Sequence, residues 1–165
     1  VAARGAGLVV MHMRGTPGDM RRHTDYDDVV ADVRAELAER LVAAREAGIA
    51  PDAIVADPGL GFAKTATQSL ALLRGLDRLH ALGAPLLVGP SRKSFLGAVL
   101  GEPPHRRVAG TVAACVLAYL RGARIVRVHD VEPVAQALAV AHAIETGAAF
   151  DAAPPPLATD RSSPS

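Results

Sequence analysis

Four short apolar runs punctuate the chain, at 8–11, 53–56, 85–88 and 124–128, and longer segments with helical spacing lie between and after them. A short apolar run bounded by turn residues predicts a buried strand. Tyr26, Val30, Val33, Leu37 and Leu41 fall on one face of a helix that Gly48 ends. Leu70, Leu73, Leu76, Leu79 and Leu82 mark a second helical face, ended by Gly83. The segment 108–120 predicts a third helix and 134–144 a fourth, with Pro133 near its first turn. The alternation βαβαβαβα requires parallel strands covered by helices.

Two architectures accommodate this pattern, and the placement of polar residues separates them. In a doubly wound sheet, ligands gather at one switch point, so only some strand ends carry chemistry. In a (β/α)8 TIM barrel, every strand's C-terminal end opens on one site. Here all four predicted strands end in polar or reactive residues: His12-Met13-Arg14, Asp57, Ser91-Arg92-Lys93, and Arg127 with His129-Asp130. The barrel fits better. A whole barrel takes about 250 residues, so four units are the expectation for its second half. The opening "VAARGAGLVVMH" lacks an initiator Met and reads as a helix end, a Gly stop and a strand, as if begun mid-fold. The expected division is residues 1–149 as half-barrel and 150–165 as a disordered Pro/Ser-rich tail.

Composition narrows the class. The net charge of +1 gives no reason to expect a nucleic acid or an anionic membrane as partner. No apolar run approaches the roughly 18–20 residues that span a bilayer, and the start is not a signal peptide. The one cysteine, Cys115, lies in the apolar stretch "TVAACVLAYL" and is expected in the core, which fits a reducing cytoplasm.

The chemistry sits at the strand ends. In "LLVGPSRKSFLG", Lys93 is one of two lysines among 18 basic residues. An ammonium there can donate to carbonyl and ring-nitrogen acceptors, and burial can tune it. The plainer reading makes Ser91 a helix N-cap with Arg92 and Lys93 solvated in the first turn. Cations are disfavoured at helix N-termini, so the pair suggests an anionic or electron-rich partner. In "RIVRVHD", Arg127 and His129 share a strand face and suit a phosphate or diphosphate, with a structural Arg–Asp pair as the alternative. In "IVADPGLGFAKT", Asp57 can accept two hydrogen bonds from a planar donor edge, or can merely open a turn. Phe62 either covers a ligand from its Gly-rich loop or tucks onto the helices. Met11 and Met13 could line a flat apolar slot or fill core. His12, on the opposite face, is expected to be structural. No His or Cys spacing indicates zinc.

Order and spacing together carry more than each motif alone. "VVMHMRGTP", "DPGLGFAKT", "LLVGPSRKSFLG" with "VAGT", and "IVRVHDV" resemble the successive strand ends of the dihydropteroate synthase family, over about 8–144 and matching strands five to eight of its barrel. The resemblance implies a transferase of folate biosynthesis, the target of sulfonamides. Such an enzyme joins (7,8-dihydropterin-6-yl)methyl diphosphate to 4-aminobenzoate, releasing diphosphate. It implies that Asp57 holds the pterin's amino and ring N–H edge. Lys93 donates to pterin acceptors, and Met11 lines the slot. Arg127 and His129 bind the diphosphate side. Phe62 and Ser94 contact the aminobenzoate, and Gly89 is included among the substrate-binding residues. It also implies Mg²⁺ held by an asparagine of the absent first half, a homodimer when complete, and little activity for this chain alone. The alternatives are a non-catalytic paralogue or a half-barrel needing a partner, and a pterin-binding methyltransferase barrel, which needs no Arg/His diphosphate grip.

Overall fold

The computed structural model describes residues 1–147. The expected boundary at 149 and the tail from 150 lie outside the described residues. Four parallel strands, β1 (Leu8–Met11), β2 (Ile54–Asp57), β3 (Leu86–Val88) and β4 (Ala123–Val126), lie side by side in chain order. Between them and after them run α1 (Val29–Glu46), α2 (Ala66–Arg74), α3 (Ser94–Leu100), α4 (Val108–Leu120) and α5 (Val131–Thr146). Sequential parallel order with a helical crossover each time is one continuous βα winding, and it forms half of a (β/α)8 barrel.

Strand alternation explains what each face does. Ile54, Ala56, Leu86 and Val88 face the helices and are buried. On the opposite face Val9 is 50% exposed and Ile125 39% exposed, so the helices pack only one side of the sheet. Val33, Leu37 and Leu41 of α1 form the centre of the core with Leu72, Leu76 and Leu79. Asp28 starts α1 by accepting from the N–H groups of Val30 (2.9 Å) and Ala31 (3.2 Å). A reciprocal pair starts α2: Thr65 Oγ1 accepts from Gln68 N and Gln68 Oε1 from Thr65 N.

The expected single helix over 70–82 is two elements. After α2 the chain passes Gly75 and continues as a 3₁₀ helix, Leu76–Leu82. The reason lies in the leucine spacing. Strict i, i+3 recurrence is the repeat of a 3₁₀ helix, so Leu76, Leu79 and Leu82 stack on one buried face. In α2 the buried leucine is Leu72, while Leu70 is exposed. The fourth strand is shifted as well. It covers Ala123–Val126, and a register irregularity between Leu86 and Leu87 precedes Ile125. Arg127 still donates its N–H to Val88 O at 3.0 Å, extending the pairing to the site. The last helix starts at Val131 rather than 134, with Pro133 in its first turn. The helix α3 entered the sequence pattern only through the plainer reading of Ser91 as an N-cap, and it starts at Ser94 instead.

Candidate active site at the strand tips

At the end of β1, Met11 lies opposite Asp57 of β2 in the register. Arg40 of α1 donates to the carbonyls of Met11 (3.0 Å) and Met13 (2.9 Å), fixing this strand end from outside. His12 points into the helical layer and is fully buried, as expected for a structural residue. Its Nε2 meets Glu36 Oε2 at 3.0 Å and its Nδ1 meets Lys64 Nζ at 2.8 Å. An ammonium can only donate, so Nδ1 is the acceptor and Nε2–H donates to Glu36. Burial, with Lys64 beside it, pushes the imidazole down to about 4, against the pull of Glu36.

This has a measurable consequence. Between pH 4 and 6.5 the unfolded chain binds a proton at His12 that the folded chain refuses, so the His12 contribution to stability rises with pH through that window and levels off above it. Acidification from pH 6.5 to 4 is therefore expected to cost about 3 kcal/mol through His12. Urea melts of wild type and His12→Gln across this range test it. An equal pH slope in both would remove His12 as the cause.

Asp57 is buried at the tip of β2, with Oδ1 accepting from Gly59 N at 2.8 Å. Among the described residues nothing donates to Oδ2. Burial raises its carboxyl above the usual range, opposed by the Gly59 N–H and by the charges of Lys93 and Arg127. Gly59 has φ +67, and a Cβ there would overlap the His12 carbonyl oxygen. Only glycine fits that turn.

The loop after β3 is held from several sides. Ser91 Oγ accepts the His129 N–H at 3.2 Å and lies 2.9 Å from His129 Nδ1. With the hydroxyl proton placed toward Nδ1, the ring proton sits on Nε2, which is then the free donor of His129. Arg92 sits in the left-handed region at φ +57. Its N–H goes to the buried Thr111 Oγ1 (3.1 Å), and its carbonyl accepts from Arg107 (2.9 Å). Its guanidinium makes a two-pronged pair with Asp130, at 3.0 and 2.6 Å. Arg92 holds Asp130 below the usual carboxylate range.

Two expectations change here. Ser91 is no N-cap, since α3 starts three residues later with Lys93 in the cap position. Arg92 is matched by Asp130 of its own chain, so only Lys93 is left for a ligand. The same pairing removes the Arg127–Asp130 alternative, because Asp130 is committed to Arg92. Among the described residues the Arg127 guanidinium has no hydrogen-bond partner.

Lys93 Nζ bonds the Leu60 carbonyl and lies 4.7 Å from the centre of the Phe62 ring. Burial lowers it to about 8, with Asp57 pulling it up and Arg127 pushing it down. Gly89, Ser91, Lys93, Arg127 and His129 line one cavity of about 200 Å³. The Arg127 guanidinium lies over Gly89, where a Cβ would sit in ordinary contact at 3.5 Å. Phe62 borders this group through Lys93. Ser94 does not join it: it is exposed and lines a neighbouring polar cavity of about 420 Å³ with Thr24, Gly61 and Lys64. Met11 lines neither. The apolar groove of about 440 Å³ between α2, α3 and α4 lies on the helical side, remote from every strand tip.

The sequence reading missed Lys64. It is 8% exposed, and its Nζ also donates to the carbonyls of Gly59 (3.2 Å) and Phe62 (3.0 Å). The signal was available, since Lys64 is the other of the two lysines. Cys115 is fully buried, and burial pushes its thiol up to about 11, so it is an inert core residue.

A buried carboxylate with a free oxygen, a tuned ammonium, and an exposed guanidinium beside an imidazole N–H converge at the C-terminal end of parallel strands. That is the face where a barrel enzyme holds its ligand. Residues 1–129 match the family described as pterin binding enzyme. The chain belongs to that family. It is 51% identical over 140 residues to a dihydropteroate synthase of Synechocystis sp., covering 84% of this chain and 48% of the relative. A Yersinia pestis dihydropteroate synthase solved in a sulfonamide drug complex superposes with a TM-score of 0.86 at 39% identity, covering 89% of this chain and 54% of that one. The Xanthomonas albilineans dihydropteroate synthase in complex with 7,8-dihydropteroate gives 0.80 at 44% identity, with 87% and 52% covered. The chain spans about half the length of the curated relatives it matches.

Proposed function

We propose that the protein carrying this chain is a dihydropteroate synthase, joining (7,8-dihydropterin-6-yl)methyl diphosphate to 4-aminobenzoate. The observation that carries this reading is the arrangement of Asp57, Lys93, Arg127 and His129 on adjacent strand tips, with the Asp57 Oδ2, the Arg127 guanidinium and His129 Nε2–H uncommitted. Asp57 accepts from the pterin's amino and ring N–H edge. Lys93 turns from Leu60 O to the pterin acceptors. Arg127 and His129 take the diphosphate. The methylene C–O bond breaks with its electron pair leaving on diphosphate, the amine nitrogen attacks the methylene carbon, and the amine proton is released. Negative charge collects on the leaving group, so a fixed guanidinium and an imidazole N–H beside it supply electrostatic stabilisation. Phe62 and Ser94 border the aminobenzoate, and Met11 lines the pterin slot.

A pterin-binding methyltransferase would use Asp57 equally well, but has no anion for Arg127 and His129 to meet. Calorimetry with diphosphate on the full-length protein distinguishes the two. Saturable binding is expected, and its absence would favour the methyltransferase.

The further proposals are a cytoplasmic location, Mg²⁺ as cofactor and a homodimer. Among the described residues no helix is long and apolar enough to cross a membrane; a membrane-bound pool on fractionation would refute the location. Among the same residues no three His, Cys, Asp or Glu side chains gather for a cation, so the proposed Mg²⁺ is assigned to residues outside them, and no step above runs through it. Activity that survives exhaustive chelation would remove it. The groove between α2, α3 and α4, with Leu70, Val99, Leu100 and Leu117 exposed, is the surface proposed for a second copy. A monomeric mass by light scattering at micromolar concentration would contradict the dimer.

A further inference from the structure

Two ammonium groups capture three of the four carbonyls of the turn Gly59–Phe62. Lys64 takes Gly59 O and Phe62 O from the helical side, and Lys93 takes Leu60 O from the site. We propose that Lys64 is a positioning residue: its buried ammonium locks this turn, and with it the Phe62 ring, in place against Lys93. That the Phe62 position matters for aminobenzoate rests on the functional reading above, whereas the hold on the turn does not.

The hydrogen-bond count makes the ammonium necessary. Lys64 Nζ has three acceptors within 3.2 Å: His12 Nδ1, Gly59 O and Phe62 O. A neutral amine has two N–H groups, so one acceptor would face a lone pair. His12 cannot compensate by moving its proton to Nδ1. Its Nε2 would then turn a lone pair on Glu36, whose other oxygen already accepts from Arg14 Nε at 2.7 Å. The groups facing Lys64 are His12 at the end of β1, Arg14 just beyond it, Glu36 on α1, Asp57 at the tip of β2 and Lys93 after β3. The Tyr26 ring lies 5.9 Å away. Burial brings Lys64 down to about 7, against Asp57 and Glu36, with Lys93 and Arg14 adding to the fall. The turn should therefore loosen as pH rises through neutrality.

Global stability moves the other way. From about 7 up to the ordinary lysine value of 10.5 the unfolded chain holds the proton that folded Lys64 has lost, so stability rises in that window. A lysine that merely supported the fold would show no opposing response in Phe62.

The composition makes the test direct. In the full-length Lys93→Gln protein, segmental labelling confined to this chain leaves Lys64 as the sole ¹³Cε-labelled lysine, so its titration is read alone. The chain has three phenylalanines, and 4-fluorophenylalanine labelling with a Phe62→Leu control identifies the Phe62 fluorine signal. The expected result is a Phe62 transition whose midpoint coincides with that of Lys64, near 7. A flat Phe62 signal, or midpoints more than about one pH unit apart, would overturn the proposal whether or not Lys64→Met folds. Where it folds, Lys64→Met should abolish the transition, and persistence would equally overturn it. In the full-length protein Lys64→Met should raise the KM for 4-aminobenzoate about tenfold and that for the pterin diphosphate less than about twofold. An equal rise in both would count as general damage and against positioning. A full-length parent without synthase turnover would sink the functional reading, leaving the fluorine result to decide Lys64.

Discussion

Replacing Lys93 with alanine in the full-length protein is expected to lower turnover and weaken pterin binding by about 1.5–3 kcal/mol, roughly ten- to a hundredfold, with little loss of stability. The ligand loses a charged donor that no neighbour replaces, since Arg92 is tied to Asp130 and Lys64 is enclosed behind the turn. The fold loses much less. Lys93 holds its proton less tightly in the folded chain, at about 8, than in the unfolded one, so burying its charge opposes folding at neutral pH. Its removal takes away the Leu60 carbonyl's partner and relieves that cost together. Steady-state kinetics and a thermal melt on the same preparation decide between roles. Unchanged kinetics with a lowered melting point would make Lys93 a structural residue.

The second large effect is expected at Gly59. An alanine there must adopt φ near +67 and push its Cβ into the His12 carbonyl oxygen. Backbone strain of order 1–3 kcal/mol adds to the steric displacement. His12 is also bonded through its N–H to Asp57 O at 2.9 Å, so moving its peptide disturbs the β1–β2 end that carries Asp57. Gly59→Ala is therefore expected to lose at least about 2 kcal/mol of stability and most ligand binding. Gly89→Ala, where the added carbon meets Arg127 at 3.5 Å, is the contrasting control and should fold normally. Equal melting points for the two variants would refute the steric account.

The strands were legible because buried parallel strands are short apolar runs, and because polar residues at all four ends distinguish a barrel from an open sheet. Other features were hidden for identifiable reasons. The leucines at 76, 79 and 82 repeat every three residues, which an α-helical reading absorbs without protest although it is the 3₁₀ repeat. The helix α3 begins on a lysine with no capping side chain and contains Gly97, so its true start carries no signal and Ser91 offered a misplaced one. Arg92 looked available because its partner Asp130 is 38 residues away. Lys64 was overlooked because a lysine in a loop is ordinarily solvated. Only the fold shows that His12 and two carbonyls surround it.

The central claim is that Arg127 and His129 grip one diphosphate between them. They leave the strand at i and i+2, both are exposed, and both line the cavity over Gly89. The most direct measurement is a double-mutant cycle on inhibition of the full-length protein by diphosphate, using Arg127→Ala, His129→Ala and the pair. Each single change should weaken inhibition, and the double change should depart from the sum of the two by more than about 0.5 kcal/mol, as for groups sharing a ligand. Strict additivity, or inhibition untouched by either change, would contradict the account.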